Sequence, residues 1–312
     1  MTAEPVPLVD GRGPGGGPFV LDDVDAGESP RQRVWRRFRH NPAAMTGLVV
    51  LGLIVIGAVF APWLAPHDPT ATTFSDVRLT GPSGDHWLGV DRDGRDILSR
   101  LLYGGRASIE VCALVVVFAL LVALPLGLVA GYVRGAVDAV IMRCMDALFA
   151  FPALTLALAV AALLGPSLLN ASIAIAIVFV PGLVRVVRAQ VLAVREETFI
   201  EASRSVGASS GRMMARHIFP NVATPLIVQI ALSFGYALLA ESGLSFLGFG
   251  VQPPDPSWGT MLQDAYTTIT RDSWPLVPPG VAIAVTVLAF NLVGDGLRDA
   301  LGREVHSAKD AA

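Results

Sequence analysis

Six long apolar stretches, separated by polar connections, organise the chain. They run over approximately residues 43–65, 107–131, 145–165, 167–187, 222–247 and 275–296. A helix of about 20 apolar residues crosses the hydrocarbon core of a bilayer, so each stretch predicts one transmembrane helix. The fold class expected is an all-α membrane protein of six transmembrane helices. The first stretch follows a basic region and is rich in Ala, as a signal peptide is, but it is too long for a signal core and five more spans follow. The polar remainder divides the chain further. Residues 1–30, with "DGRGPGGGPF", have little to bury and predict a disordered tail. Residues 31–42 form a basic juxtamembrane segment, 66–106 a long connection, and 304–312 a short tail.

One polar connection is itself patterned. Between the fourth and fifth stretches lies "EASRSVGASSGRMMARHIFPN", Glu201 to Asn221. Over Glu196–Val206, apolar Phe199, Ile200, Ala202 and Val206 recur at helical spacing, and Glu196 and Glu197 suit the positive N-terminal end. Gly207 permits the left-handed conformation that ends many helices. Ser209 or Ser210 can cap a second helix carrying Met213, Met214, His217 and Ile218, which Pro220 is expected to stop. The prediction is a helix–glycine–helix element joined directly to two spans. Its apolar stripe and basic flank fit either a partner surface or the lipid headgroup plane.

Composition agrees with the pattern and then adds an orientation. Charged residues make up 16% of the chain, against the roughly 25% usual for soluble domains. Six spans put both termini on one side. Seventeen Arg and Lys fall in the termini and in the connections on that side, and six on the other. The excess predicts that both termini and the 196–221 connection face the cytoplasm. The arginines from Arg31 to Arg39 either lie on the anionic inner surface or only set topology. Cys112 and Cys144 sit in or beside apolar runs and read as packing residues, with neither a disulfide framework nor a zinc pattern.

The 196–221 connection resembles the "EAA" loop of membrane subunits of ATP-binding-cassette (ABC) importers. That pattern is Glu-Ala-Ala, a later Gly, and an Ile-x-Leu-Pro ending. Here it reads Glu201-Ala202-Ser203, Gly207 and Ile218-Phe219-Pro220, with Ser203 for Ala, Phe219 for Leu and Ile218 one place late. His217-Ile218 before Phe219-Pro220-Asn221 is the form of the peptide-importer branch. Three more segments, His86–Ser108, Glu241–Leu262 and Leu288–Gly302, are similar to the C-type subunit of dipeptide, oligopeptide and nickel permeases. The resemblance implies a type I importer permease fold, with a core over 107–303 and a cytoplasmic coupling helix that docks on an ATPase subunit. Glu201, Ala202, Ser203, Gly207, Met213, His217, Ile218 and Pro220 would carry that coupling. The implied partners are a second, homologous permease chain, two ATPase domains, an extracytoplasmic substrate-binding protein and membrane lipids. ATP and Mg would bind the ATPase partners, with no cofactor and no nucleic acid on this chain. Dipeptides, longer peptides, nickel chelates and haem all lie within reach of the wider family.

Further residues are singled out on chemistry or within the matched segments. The run Asp91 to Asp96 looks like a calcium loop but fails it. An EF-hand needs an oxygen ligand where Arg95 stands and Glu where Leu102 stands. A turn at Gly94 followed by a short helix is expected, with Ile97, Leu98, Leu101 and Leu102 facing lipid or another helix. The only lysine, Lys309, is not in a phosphate loop, and the five histidines are dispersed, so neither catalysis nor metal binding is expected. Asp146 is expected to pair with Arg143 along its helix. Glu241 has no near partner in sequence; it could line the path, meet a binding protein or, the reading favoured here, pair across a subunit interface. Asp91, Gly94, Arg95, Asp96, Glu241 and Trp258 are candidates for the outer or interface surface, and Phe151, Pro152, Ser245 and Asn291 for the path. Pro125, Pro152, Pro181 and Pro225 are expected to kink their helices. An ion-coupled secondary transporter is the alternative, but it predicts polar relays and repeated halves, neither of which the sequence shows. A membrane scaffold without transport would not need the patterned connection.

Overall fold

The computed structural model describes residues 30–72 and 79–310. Apart from Pro30, the N-terminal tail expected over 1–30 lies outside the described residues. Helix α1 (Pro30–Arg39) precedes α2 (Pro42–Val59), which Asn41 starts: its side-chain oxygen accepts from the amides of Ala43 and Ala44, with Pro42 in the first turn. A single turn, α3 (Ala61–Leu64), follows. The long helices α4 (Ile97–Val133) and α7 (Leu168–Arg195) are capped in the same way by Asp96 and Ser167. Between them stand α5 (Gly135–Phe149) and α6 (Ala153–Leu164). The short α8 (Thr198–Ser205) and α9 (Ser210–Arg212) lead into α10 (Phe219–Phe246). Then come α11 (Trp258–Tyr266) and α12 (Val277–Asp310), the latter carrying helical backbone through most of the expected C-terminal tail. Among the described residues the only strand-like pairing is one bridge, Val90 with Asp96.

Five helical segments are long and apolar enough to cross a membrane: Pro42–Val59, Ile97–Val133, Leu168–Arg195, Ser210–Phe246 and Trp274–Gly302. The sixth expected span, 145–165, is not one helix. Its residues divide between α5 and α6, which meet at 91°. The cause is local: Pro152 has no amide hydrogen and its ring excludes the helical conformation before it, so the chain breaks over Ala150–Pro152. Pro125, Pro181 and Pro225, by contrast, sit inside continuous helices.

Burial ranks the spans. In its most apolar window, α7 has 56% of its residues buried within the chain and α2 only 17%, so α7 is central and α2 is a peripheral, lipid-facing helix. The α4–α7 contact is the most extensive in the molecule. It is close because Gly127 and Gly131 face Val187 and Val191; a Cβ on either glycine would come within 2.6 Å of the opposite valine. Small residues of this kind replace the hydrophobic effect, which is absent between helices in lipid.

Candidate functional site

The patterned connection is held from beneath and open on top. Ile200, Met213 and Ile218 are fully buried against Val187, Val191 and Val222 of α7 and α10. Met213 and Ile218, expected as coupling residues, are therefore anchors that fix the element to the spans. Glu201, Ala202 and Gly207 are exposed and Ser203 partly so. Val206 is 86% exposed, and Phe199 is also exposed. Gly207 has φ +79°, as its helix-ending role requires. The exposed rim thus combines an acid, a glycine turn and unpaired apolar area at the end of two spans.

The second half of the connection differs from expectation. Pro220 does not stop a helix. From Ser210 the chain is helical without interruption to Phe246, through a π-helical turn at Met213–Ile218. In that turn the amide of Phe219 bonds to the carbonyl of Met214, five residues back. The widened register lets Pro220 fall in the first turn of α10, where a missing amide costs little. Asn221 donates its side-chain amide to the His217 carbonyl at 2.7 Å. His217 is partly exposed, and Pro220 is exposed on the same element. Ion pairs brace the neighbouring helix ends: Arg188 makes a bidentate pair with Asp138, and Arg134 bonds to Glu196 at 2.7 Å. Asp146 pairs with Arg185 of α7 at 2.7 Å, not with Arg143 as expected. The bend after α5 lays this helix across α7, and the Arg185 guanidinium, stacked 4.2 Å from the Phe149 ring, is nearer in space than in sequence.

At the other end of the spans, Asp91, Gly94 and Arg95 form the turn expected of them, with Gly94 at φ +80°. Asp91 accepts from the amides of Asp93 and Arg95, both at 2.9 Å. The turn is bolted to α11 by Asp264, which sequence reading did not single out. Its carboxylate receives Arg92 at 3.2 Å, Arg95 at 2.9 Å and Arg100 at 3.4 Å. Burial alone would lower the pKa of Arg95, but Asp91, Asp264 and Asp93 together outweigh it and hold the guanidinium above its ordinary value. Three acids and three guanidinium groups balance in charge, so this is an ion-pair network and not a cation site.

Trp258 and Glu241 are not surface groups. Trp258 is buried, lies against Gly104 and Gly105, and donates its ring N–H to the Leu101 carbonyl at 3.0 Å. Glu241 is 1% exposed and accepts from Ser245 at 2.7 Å, with the hydroxyls of Ser108, Ser242 and Ser257 also turned to it. A buried carboxylate needs donors, and here its own chain supplies them; the expected subunit-interface role is not seen. Ser245, expected on the path, is consumed by this cluster. Asn291, on α12, turns its side chain to Gly235 of α10. Phe151 and Pro152 remain exposed at the α5–α6 break.

This arrangement defines a multi-pass membrane protein with an exposed helical element rooted between two of its long apolar helices. The chain belongs to the family of inner membrane components of binding-protein-dependent transport systems, whose family model matches residues 123–307. A second model, the N-terminal transmembrane domain of oligopeptide transport permease C, matches residues 29–82. The chain is 44% identical to the dipeptide transport system permease protein DppC of Alkalihalophilus pseudofirmus, over 92% of this chain and 94% of that one. It is 46% identical to the di/tripeptide permease protein DppC of Pseudomonas aeruginosa, over 90% and 94%. It is 43% identical to the glutathione transport system permease protein GsiD of Escherichia coli, over 90% and 93%. In structure it is similar to a chain of the inward-facing MetNI methionine ABC transporter, with TM-score 0.52 and 15% identity over 64% of this chain and 96% of that one. The fold is that of a type I ABC importer permease.

Proposed function

We propose that this chain is a membrane permease subunit of an ATP-driven importer of dipeptides or oligopeptides. One observation carries the mechanism: the rim Glu201–Gly207 is exposed while Ile200, Met213 and Ile218 root it in the spans. Such an element transmits force, because a load on the rim cannot be absorbed by local rearrangement of a packed base. ATP and Mg bind two ATPase domains that dock on this rim and on that of a homologous second permease chain. Closure of those domains moves the rims and tips the pair from inward-open to outward-open. The termini and the rim are cytoplasmic, as the arginine distribution supports. The opposite surface, to which the described parts of the 66–106 connection and 248–274 contribute and which Asp264 clamps, receives the substrate-binding protein. Dipeptide and oligopeptide cargo is supported by the names of the relatives, and specificity resides in the binding protein.

Co-expression with the partner permease and ATPase subunits tests the docking element. The ATPase is expected to co-purify with the intact chain and to be lost when Gly207→Val is combined with Glu201→Ala. If the intact permease pair retains no ATPase, the rim lies on lipid and the importer reading fails. In vesicles, uptake is expected to stop on ATP depletion; uptake that follows an ion gradient instead would favour a secondary transporter.

A further inference from the structure

The dispersed histidines show no ligand spacing along the chain, but the fold brings two of them together. His67 follows α3 and His86 lies in the loop before α4; their rings face each other at a tilt of 37° with centroids 4.7 Å apart. Both present Nδ1 to the same oxygen of Asp96. His86 Nδ1 is 2.9 Å from Asp96 Oδ1, and His67 Nδ1 is 3.7 Å from it. One donor atom from each of the three residues lies within 4.8 Å of the others.

We propose that His67, His86 and Asp96 form a binding site for a divalent transition-metal ion of the kind that imidazole ligands favour, with zinc as the reference case. With metal–ligand bonds of about 2.0–2.1 Å, tetrahedral donors stand about 3.3 Å apart. The two separations to Asp96 bracket that value, and the imidazole donors lie within 4.8 Å of each other. The charge is also suitable: two neutral imidazoles and one carboxylate give a three-ligand set that leaves a fourth position for water. Among the described residues no guanidinium comes within ion-pair distance of Asp96, unlike the Asp91–Asp93–Asp264 group, whose charge the arginines already balance.

The surroundings orient the ligands. Asp96 is fully buried, and its second oxygen, Oδ2, is held by the Ser99 amide at 2.8 Å and the Ser99 hydroxyl at 2.7 Å. This leaves Oδ1 aimed at the imidazoles. The amide of His67 donates to the same Ser99 hydroxyl at 3.1 Å, and the amide of His86 to Ser83 Oγ at 3.1 Å. Outer contacts of this kind are what fix metal ligands in place. The His67 side chain is 27% exposed and gives an ion access from solvent. Coordination through Nδ1 requires each ring to carry its proton on Nε2. A bound ion would join the end of α3 to the start of α4 and stiffen the long connection between them.

The test uses the full chain, purified through a histidine-free tag, stripped with a chelator and then given zinc or cobalt. The intact chain is expected to retain about one zinc per chain after desalting, to show a raised thermal midpoint, and with cobalt to give visible absorption of a tetrahedral site. His67→Ala and His86→Gln should abolish retention and the absorption while leaving the metal-free midpoint of His67→Ala within a few degrees of the parent. Ser99→Ala should weaken zinc binding by about tenfold or more. His40→Ala and His306→Ala should change nothing. Retention equal in the intact chain and His67→Ala, or retention lost on removing His40 or His306, overturns the assignment. Failure of the intact chain to retain metal also overturns it, without touching the importer reading, which rests on the opposite end of the molecule.

Discussion

Asp264 shows what a single residue can do that its sequence context hides. It stands on the amphipathic α11, where an acid looks like part of a solvated face, yet it gathers two arginines from a turn and one from the start of α4, all more than 160 positions earlier. Asp264→Asn removes the charge that Arg92, Arg95 and Arg100 share. The expected cost is about 1–3 kcal/mol, and proteolytic nicking within 66–106 should rise; an unchanged digestion pattern would refute the clamp. Trp258 is the apolar counterpart. Trp258→Ala leaves the seat on Gly104 and Gly105 empty and the Leu101 carbonyl without its donor, and is expected to destabilise the chain by about 3–5 kcal/mol in detergent unfolding. Glu241 was visible in the sequence as an expensive intramembrane acid, but not its solution. The hydroxyls of Ser108 and Ser257 come from α4 and from the loop before α11, and no local spacing announces them.

At the scale of elements, most of the spans and the helix–glycine–helix form of the 196–221 connection were legible because both rest on local rules. Apolar length marks spans, and Gly207 marks a helix end by a conformation other residues avoid. The division of 145–165 was not legible, since an apolar run has the same composition straight or bent by 91°. The π-helical turn before Pro220 was equally hidden: proline announces a missing hydrogen bond, not which neighbour will compensate. The α4–α7 seam lends itself to a compensation test. Gly131→Val should cost about 1–3 kcal/mol by overpacking against Val191, and Val191→Ala in the same chain should recover part of the loss. If the second change only adds to the first, the seam is not the source of the strain.

The whole molecule is built around two polar ends and an apolar middle, with α7 at its centre and α2 against lipid. The rim at one end and the helix α11 that carries Asp264 at the other both pack on the helix that runs unbroken from Ser210 to Phe246. Replacing Val228 and Gln229 by glycines would soften that helix at mid-membrane. The ATPase subunits should still co-purify, while stimulation of their activity by the binding protein should fall; full stimulation would show that another route carries the signal.

That helix has 37 residues, about 55 Å of rod. Its first turns hold the rim and its last turns hold Glu241 and the seat of α11. A tilt of about 5° applied at one end displaces the other by roughly 5 Å, comparable to one helical turn. A permease wired this way needs no chain of small switches between its two faces.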